Sequence, residues 1–539
     1  MDVIHKANCM VTGSQERKLL KSLPQAMSPC KKEYATDYFA MKVMFIYPNK
    51  NGFGTIPLGI SMISARLEED GHKTLLFDST FFTSRSMNFK DKREEVGTHI
   101  KTDLGKYVTR IDASPEQVFE KMVIEEEPDI VGLSAVSYNF PEGLRYLKLL
   151  KNLELKHKPL TIVGGTHPTV APEKTIAIDD VDAICVGEGE LAMAELTNKL
   201  QNGEDYSHVQ NMWVKVNGKT VRNPARQLTQ LDELPFPDYS LFDDSHFIKP
   251  FVGKVYRIGH FELSRGCPYQ CTYCVNKYYQ DLFKDGGSYH RVKSIERSIE
   301  ELRDARDKYN VQLVKFWDET FLVMRNDRLF AFLDTYKREI NLPFMINTRA
   351  ETINEDRISA IKDAGCVAIS VGIEAGNDII RKKIMNRRIE KEAIIKAFKI
   401  INKHKIRTSA FNMLGMPFES RRTVFETIEL NRSCKPTTQT INIFYPYEGT
   451  LLRKVCIDLG IIDKDPEMVD FQSESILEMP QISKEELIGL RRTFVLYCKL
   501  PKVFYPLIYF AEKSGNLRNH LHTFLIWFMQ KFFDKQVGI

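Results

Sequence analysis

Short apolar runs alternate with amphipathic stretches along most of this chain, and that alternation constrains its fold more than any other feature. Short apolar runs are typical of buried strands, and apolar residues at helical spacing are typical of helices that cover a sheet. Helices are predicted at Leu58–Glu69 and 116–126. Five strands are predicted in the first series, at Lys42–Tyr47, Lys73–Asp78, Asp129–Ser137, Leu160–Gly165 and Asp182–Val186. This order predicts a doubly wound, flavodoxin-like parallel sheet whose ligand site lies at the carboxyl ends of its strands.

A second β/α series begins after a stretch rich in Pro, Asp and Phe at Leu231–Phe242. Its strands are predicted at Phe261–Gly266, 313–318, 344–348, 368–374, 407–414 and 439–446. Six consecutive β/α units predict a (β/α)6 partial TIM barrel, open or closed, with its chemistry at the carboxyl ends of the strands. After about residue 450 the pattern becomes helical and aromatic.

The chain of 539 residues is too long for a single hydrophobic core, so we predict several domains. The predicted division is an N-terminal extension at 1–40, a sheet domain at 41–225, a linker at 226–257, a barrel at 258–450 and a helical region at 451–539. Residues 1–40 show no period, and they are interpreted either as a disordered extension or as sequence upstream of an alternative start at Met41.

Composition excludes several classes of protein. A net charge of +5 is small for this length and gives no case for nucleic acid as a partner. No stretch approaches the roughly 20 apolar residues that span a bilayer. Three of the ten cysteines lie within eight residues, which indicates metal ligation in a reducing compartment, and we therefore predict a cytoplasmic protein.

Cys267, Cys271 and Cys274 form a C-x3-C-x2-C motif directly after the first predicted barrel strand. Three cysteines can ligate three irons of a [4Fe–4S] cluster and leave the fourth iron open to a small molecule. A structural zinc site needs a fourth protein ligand, and the next cysteine, Cys366, is far outside such a spacing. The motif therefore predicts a catalytic cluster at the barrel mouth.

The run from Ser264 to Cys274, with the aromatic Tyr273 before its last cysteine, resembles the signature of the radical SAM superfamily. In that family the open iron binds the amino and carboxylate groups of S-adenosylmethionine (SAM). An electron from a donor such as flavodoxin or ferredoxin then cleaves SAM and releases a 5′-deoxyadenosyl radical. Arg291 and Arg349 match positions that recur in this family, with surface ion pairing as the alternative.

The resemblance also implies contacts to SAM at the ends of later barrel strands. Asp318 or Glu319 would receive the methionine ammonium, although two solvated acids after a strand are the alternative. Glu374, within Gly372–Gly376, would accept hydrogen bonds from the ribose hydroxyls. Gly415, which begins Gly-Met-Pro-Phe-Glu, matches the family's segment near adenine.

The first domain resembles the cobalamin-binding domain that precedes the barrel in the B12-dependent branch. Its polar and glycine-rich clusters fall at the carboxyl ends of predicted strands, where an open sheet binds its ligand. Glycines there would let the backbone lie close to the macrocycle, and hydroxyls would bind its polar tail. The candidate contacts are Ser134, Ser137, Gly164, Gly165 and His167.

The chain lacks the Asp-x-His-x-x-Gly motif that supplies a histidine below cobalt in many corrinoid proteins. The lower ligand of cobalt therefore stays open, as does a domain that keeps the fold without cobalamin. For His167 we weigh corrinoid or substrate contact against packing of its loop, and we interpret His72 as a solvated residue at a helix end.

Together the two resemblances imply a cobalamin-dependent radical SAM enzyme, in whose branch methylcobalamin commonly delivers a methyl group to an unactivated carbon. The alternatives are oxidative ring formation of the anaerobic Mg-protoporphyrin ester cyclase type and a non-catalytic corrinoid or SAM sensor. The aromatic segments Lys502–Phe510 and His522–Phe533 are interpreted as core packing, as interfacial membrane contacts or as a lid. Either of the last two predicts a hydrophobic substrate, such as a lipid, an isoprenoid or a tetrapyrrole.

Overall fold

The structure, a computed structural model, describes residues 40–533 apart from 51, 53, 85–92, 99–101 and 471–473. The expectation for residues 1–39 therefore lies outside the described residues. The chain divides into two compact units. Unit 1 holds the described residues of 1–86, 109–226 and 234–246, and unit 2 holds those of 87–108, 227–233 and 247–539. The domain boundaries given above stay predictions.

Unit 1 is built on a seven-stranded sheet in the order β2-β1-β3-β4-β5-β6-β7. The first five strands in this order are parallel, and β6 and β7 add an antiparallel hairpin at one edge. The strands are β1 Lys42–Tyr47, β2 Lys73–Asp78, β3 Ile130–Ser134, β4 Leu160–Gly164, β5 Ala183–Cys185, β6 Met212–Val216 and β7 Lys219–Arg222. The order 2-1-3-4-5 is that of a flavodoxin-like fold, and it confirms the predicted fold class.

Helices join the parallel strands of unit 1, as right-handed crossovers require. They are α1 Leu58–Glu69, α2 Pro115–Glu126, α3 Phe140–Lys151, α4 Thr166–Val170, α5 Pro172–Ile176 and α6 Glu190–Gln201. Ser114 caps α2 by accepting a hydrogen bond from the backbone N–H of Gln117. The β6–β7 hairpin was not predicted, although its Asn217-Gly218 turn, with both residues at positive φ, is a strong hairpin signal.

Unit 2 is built on a second seven-stranded sheet in the order β16-β15-β14-β13-β12-β9-β8. Six of its strands are parallel, and β8 pairs antiparallel with β9. The edges β16 and β8 do not pair with each other, so the barrel is open. The strands are β8 Ile248–Phe251, β9 Lys254–Phe261, β12 Leu313–Phe316, β13 Phe344–Arg349, β14 Cys366–Glu374, β15 Arg407–Leu414 and β16 Thr438–Ile443, with a separate short pair, β10 Ser264–Arg265 and β11 Arg291–Val292.

Helices cover the outer face of this sheet and continue beyond it. They are α7 Asn276–Leu282, α8 Ile295–Tyr309, α9 Asn326–Glu339, α10 Glu355–Asp363, α11 Lys391–Lys403, α12 Arg421–Cys434, α13 Leu451–Asp458, α14 Lys484–Lys499, α15 Tyr505–Ala511 and α16 Asn516–Phe532. Ser294, Asn354 and Ser420 cap three of these helices with side-chain oxygens. None of the helices described is long and apolar enough to cross a membrane.

The position predicted for the first barrel strand was wrong. It was predicted at Phe261–Gly266, whereas β9 is Lys254–Phe261 and ends where the prediction began. The polar start of β9, which pairs with the edge strand β8, hid the strand from a search for apolar runs. The later barrel strands lie within about two or three residues of their predicted positions.

Candidate active site

The three motif cysteines lie on the loop between β9 and α7, at the carboxyl end of the first barrel strand. Cys267 and Cys271 are buried, Cys274 is half-buried, and all three are free thiols. Gly266 precedes them at a φ of +90°, and a Cβ there would lie 2.4 Å from the carbonyl oxygen of Tyr289. Only glycine fits this position, so the loop can turn tightly into the triad.

Each sulfur of the triad has its own polar neighbour, contributed by a different part of unit 2. Arg349 donates from Nη1 to the Sγ of Cys271 at 3.0 Å. Asn276 donates from Nδ2 to the Sγ of Cys274 at 3.4 Å. The Oγ1 of Thr320 lies 3.9 Å from the Sγ of Cys267. Donors aimed at sulfur stabilise the thiolate, which is the form that binds metal.

The triad fits an iron cluster on its electrostatics. Burial raises the pKa of the Cys267 thiol and raises that of Cys274 to about 12, with neighbouring negative charge adding to both. Three thiolates on one short loop need a compensating cation, which irons supply. Among the described residues, no three His, Cys, Asp or Glu side chains converge tightly enough for one metal ion. A cubane binds its cysteines through three different irons, so its ligands lie farther apart than those of a single ion.

Asp318, one of the two acids expected to bind the SAM ammonium, is turned into the protein. Its carboxylate accepts hydrogen bonds from the N–H of Leu263 at 3.1 Å, the N–H of Ser264 at 2.7 Å and the Oγ of Ser264 at 2.5 Å. It is fully buried, and burial raises its pKa to about 6. These bonds use its oxygens to fix the loop that leads into the triad.

Glu319, the second of the two acids, is exposed. Its carboxylate accepts a hydrogen bond from the side chain of Asn276, the same amide that donates to Cys274. The amide oxygen of Asn276 in turn accepts from the hydroxyl of Tyr289 at 3.1 Å. Asn276 therefore links a triad sulfur to an accessible carboxylate beside it.

Glu374, at the end of β14, is held by the buried guanidinium of Arg387. Arg387 donates to the Oε1 of Glu374 at 3.0 Å and to the carbonyl oxygen of Gly372 at 2.9 Å. Burial raises the pKa of Glu374, and Arg387 opposes that rise. Glu374 has a φ of +62°, an uncommon conformation for a residue with a side chain. A Cβ at Gly372 would lie 2.4 Å from the Glu374 carboxylate, so glycine gives it room.

A chain of charges connects Glu374 to the triad. Glu351 lies between two arginines, 2.5 Å from the Nη2 of Arg349 and 3.9 Å from the Nη2 of Arg387. The guanidinium of Arg349 also stacks on the ring of Tyr269, 3.9 Å from its centroid. Arg349 is largely buried, so the alternative of a surface ion pair does not describe it.

We expect Arg349→Gln to lower the midpoint potential of a cluster bound by the triad. The reduced cluster carries one more negative charge, and a cationic donor to a ligand sulfur stabilises that state. The expected shift is on the order of 50 mV, close to tenfold in the one-electron equilibrium. An EPR-monitored redox titration measures it, and Arg349→Lys, which keeps the charge, is the matched control. An unchanged potential in Arg349→Gln would contradict the assigned role.

Gly415 follows β15 at a φ of +82° and begins a turn closed by Glu419. The carboxylate of Glu419 accepts hydrogen bonds from the N–H of Gly415 at 2.6 Å and that of Met416 at 3.2 Å. Glu419 is fully buried, and burial raises its pKa to about 7. The Glu419 carboxyl therefore holds the turn after β15, and it ionises near neutral pH.

Glu419 should make the folded chain less stable as the pH rises. Its folded-state pKa lies above the ordinary value of 4.5, so the folded state holds the proton more tightly than the unfolded state. Stability is therefore lost as the pH rises from 4.5 to about 7, by up to roughly 3 kcal/mol. Denaturant unfolding at pH 5 and pH 8 should show a smaller loss in Glu419→Gln than in the wild type. The exposed Glu125→Gln is the control, and equal losses in all three chains would refute the prediction.

In unit 1 the predicted contacts gather where β3 and β4 end. Ser134 ends β3 and pairs in register with Gly164, the last residue of β4. A Cβ at Gly164 would meet nothing closer than 3.9 Å, so this glycine leaves open space. At Gly165, with a φ of +96°, a Cβ would lie 2.6 Å from the carbonyl oxygen of Ala135. The protein's own backbone therefore accounts for glycine at 165, whatever binds above it.

His167, on the short helix α4, is packed against its own loop. Its Nδ1 lies 3.1 Å from the Oγ of Ser137, and its ring stacks on Phe140 with centroids 3.9 Å apart. Burial lowers its pKa to about 4, so the imidazole is neutral at physiological pH. In the tautomer that donates from Nδ1 to Ser137, the Nε2 presents a lone pair, which a neutral ligating histidine requires.

The expectation for His72 was wrong. It is buried rather than solvated, and its Nε2 lies 2.8 Å from the Oδ1 of Asn198 on α6. The turn after α1 folds back against α6, which the sequence around Gly71 did not indicate.

Two family models match this chain, one in each half. The model described as the B12 binding domain matches residues 49–197, and that of the radical SAM superfamily matches residues 261–430. The chain is a radical SAM enzyme with a B12-binding domain. The predicted cofactors of the family, a [4Fe–4S] cluster, SAM and cobalamin, are confirmed by these two matches.

Curated relatives align with this radical SAM enzyme over most of its length, at low sequence identity. It is 27% identical over 386 residues to "Uncharacterized methyltransferase PH0819" of Pyrococcus horikoshii, covering 71% of this chain and 81% of the relative. It is 24% identical over 519 residues to an anaerobic magnesium-protoporphyrin IX monomethyl ester cyclase of Rubrivivax gelatinosus, covering 92% of this chain and 84% of the relative.

Solved structures share the fold of this radical SAM enzyme. The methyltransferase TsrM of Kitasatospora setae, with cobalamin and a [4Fe–4S] cluster bound, aligns with a TM-score of 0.61 at 13% identity, covering 91% of this chain and 99% of TsrM. The cobalamin-dependent enzyme OxsB aligns with a TM-score of 0.63 at 16% identity, covering 92% of this chain and 72% of OxsB. At these identities the likeness is one of fold.

Several residues of this site were not predicted from the sequence of the enzyme. The missed residues that contact the triad or its charge network are Tyr269, Asn276, Thr320, Glu351 and Arg387. Asn276 follows the last cysteine by two residues, and that proximity could have indicated it. Arg387 lies far along the chain, between two helical stretches, and only the folded loop brings it to Glu374.

Proposed function

We propose that this enzyme methylates an unactivated carbon of a hydrophobic substrate, using SAM and cobalamin. The observation that carries the proposal is the buried cysteine triad with donors to its sulfurs, in a chain that also has a B12-binding domain. A reactive radical can be generated at the triad, and a corrinoid gives the enzyme a methyl carrier. Related proteins whose names include methyltransferase support this choice.

In this proposal Cys267, Cys271 and Cys274 hold the cluster. When bound, the cluster supplies the electron that cleaves SAM, and cobalamin supplies the methyl group. Glu319, rather than Asp318, receives the SAM ammonium, because it is exposed beside the triad while Asp318 is used within the loop. Arg387 holds the Glu374 carboxylate in a fixed orientation toward the ribose hydroxyls.

The remaining predicted contacts belong to the adenine of SAM and to the corrinoid. Gly415 lies near adenine in this proposal, as the matching segment of the family does. A Cβ there would lie 3.1 Å from the side chain of Leu487, so glycine avoids a close contact within the turn. In unit 1, Ser134, Ser137 and the backbone at Gly164 and Gly165 bind the corrinoid. His167 is the candidate for contact through Nε2, since Ser137 already engages its Nδ1.

The partners we propose are a hydrophobic substrate, an electron donor such as flavodoxin or ferredoxin, and the surface of a membrane. Relatives with tetrapyrrole and hopanoid names, a bacteriochlorophyllide methyltransferase of Chlorobaculum tepidum and a hopanoid C-3 methylase of Methylococcus capsulatus, support the hydrophobic class. Lipids, isoprenoids and tetrapyrroles therefore remain the substrates to test first.

The first experiment needs no substrate. The full chain is reconstituted anaerobically with iron, sulfide and cobalamin, reduced with titanium(III) citrate and given SAM. We expect 5′-deoxyadenosine from slow uncoupled cleavage, and a burst of about one S-adenosylhomocysteine per bound cobalamin as the methyl carrier is charged. Omitting cobalamin should abolish the burst and leave 5′-deoxyadenosine. No 5′-deoxyadenosine from loaded chain would overturn the radical assignment.

The second candidate function is oxidative ring formation on a tetrapyrrole. The alignment to the Rubrivivax gelatinosus cyclase favours it, because it extends over 92% of this chain. The same experiment separates the two, since a cyclase has no methyl group to transfer. Formation of 5′-deoxyadenosine with no burst of S-adenosylhomocysteine would favour the cyclase.

A further inference from the structure

The end of the described chain exposes large apolar side chains to an unusual degree. They lie on the turn before α15, on α15 itself and along α16. Val503 and Leu517 are 79% and 72% exposed, and Phe524 and Trp527 are about half exposed, at 53% and 49%. We call this surface the C-terminal apolar patch, and its members are Val503, Leu507, Tyr509, Phe510, Leu517, Phe524, Trp527, Phe532 and Phe533.

Ring contacts link the aromatic members of the patch on and directly after α16. On α16 the ring of Phe524 contacts Trp527 at 5.8 Å between centroids, and Trp527 contacts Phe532 at 6.3 Å. Phe533 and the half-buried Phe528 reach Phe504 on the preceding turn. An apolar surface of this extent marks an interaction site, whereas apolar side chains scattered singly do not.

The exposed side of α16 is not the side that packs on the protein. His522, Leu525, Ile526 and Met529 are buried and join the core formed with α14. Leu517, Phe524 and Trp527 recur at helical spacing on the opposite stripe. A surface helix normally carries polar residues there, so core packing accounts for only half of this helix.

Three cations lie close in sequence to members of the patch. Lys513 and Lys531 are exposed, and Arg518 is half-buried beside Phe510. None of the three forms an ion pair with another described residue. The single acid in the sequence between 502 and 533 is Glu512, which is buried and bonded to Arg421 and Tyr497. Lys531 lies over the rings of Trp527 and Phe532, at the edge of the apolar surface.

We propose that the C-terminal apolar patch inserts shallowly into the surface of a membrane that contains anionic lipids. Aromatic side chains beside lysine and arginine suit the boundary between headgroups and acyl chains, where ring and cation each find their preferred surroundings. The uncompensated charge of Lys513, Arg518 and Lys531 selects an anionic surface over a neutral one. The membrane contact is inferred from the patch alone. Its interpretation as the place where a hydrophobic substrate reaches the enzyme rests on the proposed function.

The test is co-sedimentation of the full chain with vesicles. We expect binding to vesicles of 70% phosphatidylcholine and 30% phosphatidylglycerol, weaker binding to pure phosphatidylcholine, and a decrease as salt screens the cations. The double variant Phe524→Ser/Trp527→Ser should lose at least about tenfold in partition coefficient. The matched control is Tyr107→Ser, an exposed aromatic outside the patch, which should bind like the wild type. Equal binding by the double variant would overturn the proposal, as would absence of wild-type binding.

Depth and the rival occupant are tested separately. The fluorescence of Trp527 is the difference between the tryptophan emission of the wild type and that of Trp527→Phe. Vesicles with brominated acyl chains should quench this difference, because we expect Trp527 to reach the acyl region. In sedimentation velocity without lipid, the wild type and the double variant should have the same oligomeric state. Such a dimer without vesicle binding would assign the patch to a second copy of this chain and refute the membrane proposal.

Vesicle binding can be measured independently of SAM cleavage. The double variant, with its substitutions on an exposed face, should keep the thermal unfolding temperature and the uncoupled 5′-deoxyadenosine formation of the wild type. Loss of vesicle binding with retained SAM cleavage would support the patch as the docking surface. Vesicle binding by a chain that fails to cleave SAM would sink the proposed function and leave this inference intact.

Discussion

Replacing Cys271 with alanine should remove the cluster and with it the radical chemistry. Two cysteines cannot hold a cubane that already leaves one iron open, so we expect bound iron to fall from about four atoms per chain to below one. SAM cleavage should fall at least about a thousandfold, because the cofactor carries the chemistry. Iron and sulfide analysis with an assay for 5′-deoxyadenosine measures both.

The matched control is Cys434→Ala on α12, which is also a buried, free cysteine but lies outside the motif. It should keep its iron and its SAM cleavage, with a stability loss of about 1 kcal/mol from the small cavity. If Cys271→Ala kept a full complement of iron, the ligand assignment would fail. If Cys434→Ala also lost the cluster, the effect would be one of folding.

Replacing Arg387 with methionine should destabilise the fold strongly. The guanidinium is almost fully buried and neutralises Glu374, which is itself largely buried. Removing one partner of such a pair leaves an uncompensated charge, and the expected loss is about 3–5 kcal/mol in the free energy of unfolding. Denaturant unfolding at pH 7.5 measures it. The affinity for SAM, measured by calorimetry on loaded enzyme, should fall as well, because Glu374 loses its orientation.

A double variant separates the charge effect from packing. Arg387→Met/Glu374→Gln removes both charges, and its loss should be smaller than the sum of the two single losses. Additive losses would show that Arg387 and Glu374 do not depend on each other. The exposed Arg325→Met, which removes an ion pair with Asp327 at the surface, should cost less than about 1 kcal/mol.

The sequence predicted the architecture well because both sheets are mostly parallel, with buried central strands. Strands such as β1 and β3 are nearly continuous apolar runs, and β1, β2 and β15 have the bounds that were predicted. The antiparallel strands β6, β7 and β8 were missed because they are short and carry polar or charged residues, which a search for apolar runs passes over. The spacing of the cysteines indicated the cluster site, and the family resemblance indicated the roles of the strand-end acids.

The sequence could not separate the roles of adjacent acids. Asp318 and Glu319 are adjacent carboxylates beyond the end of β12, and only the folded loop shows that Asp318 accepts the hydrogen bonds of Leu263 and Ser264. One therefore entered the protein and the other stayed at the surface. The charge network around Arg387 could not be predicted either, because its members come from the ends of β13 and β14 and from the segment before α11, which only the folded barrel brings together.

The hydrogen bonds of Asp318 bear on how the enzyme matures. They tie the chain at Leu263 and Ser264 to the end of β12, and all of them join protein atoms to protein atoms. Folding alone can therefore fix the start of the loop that leads into the triad. A chain that has lost its cluster would keep these three bonds, and with them the local shape that a new cluster needs.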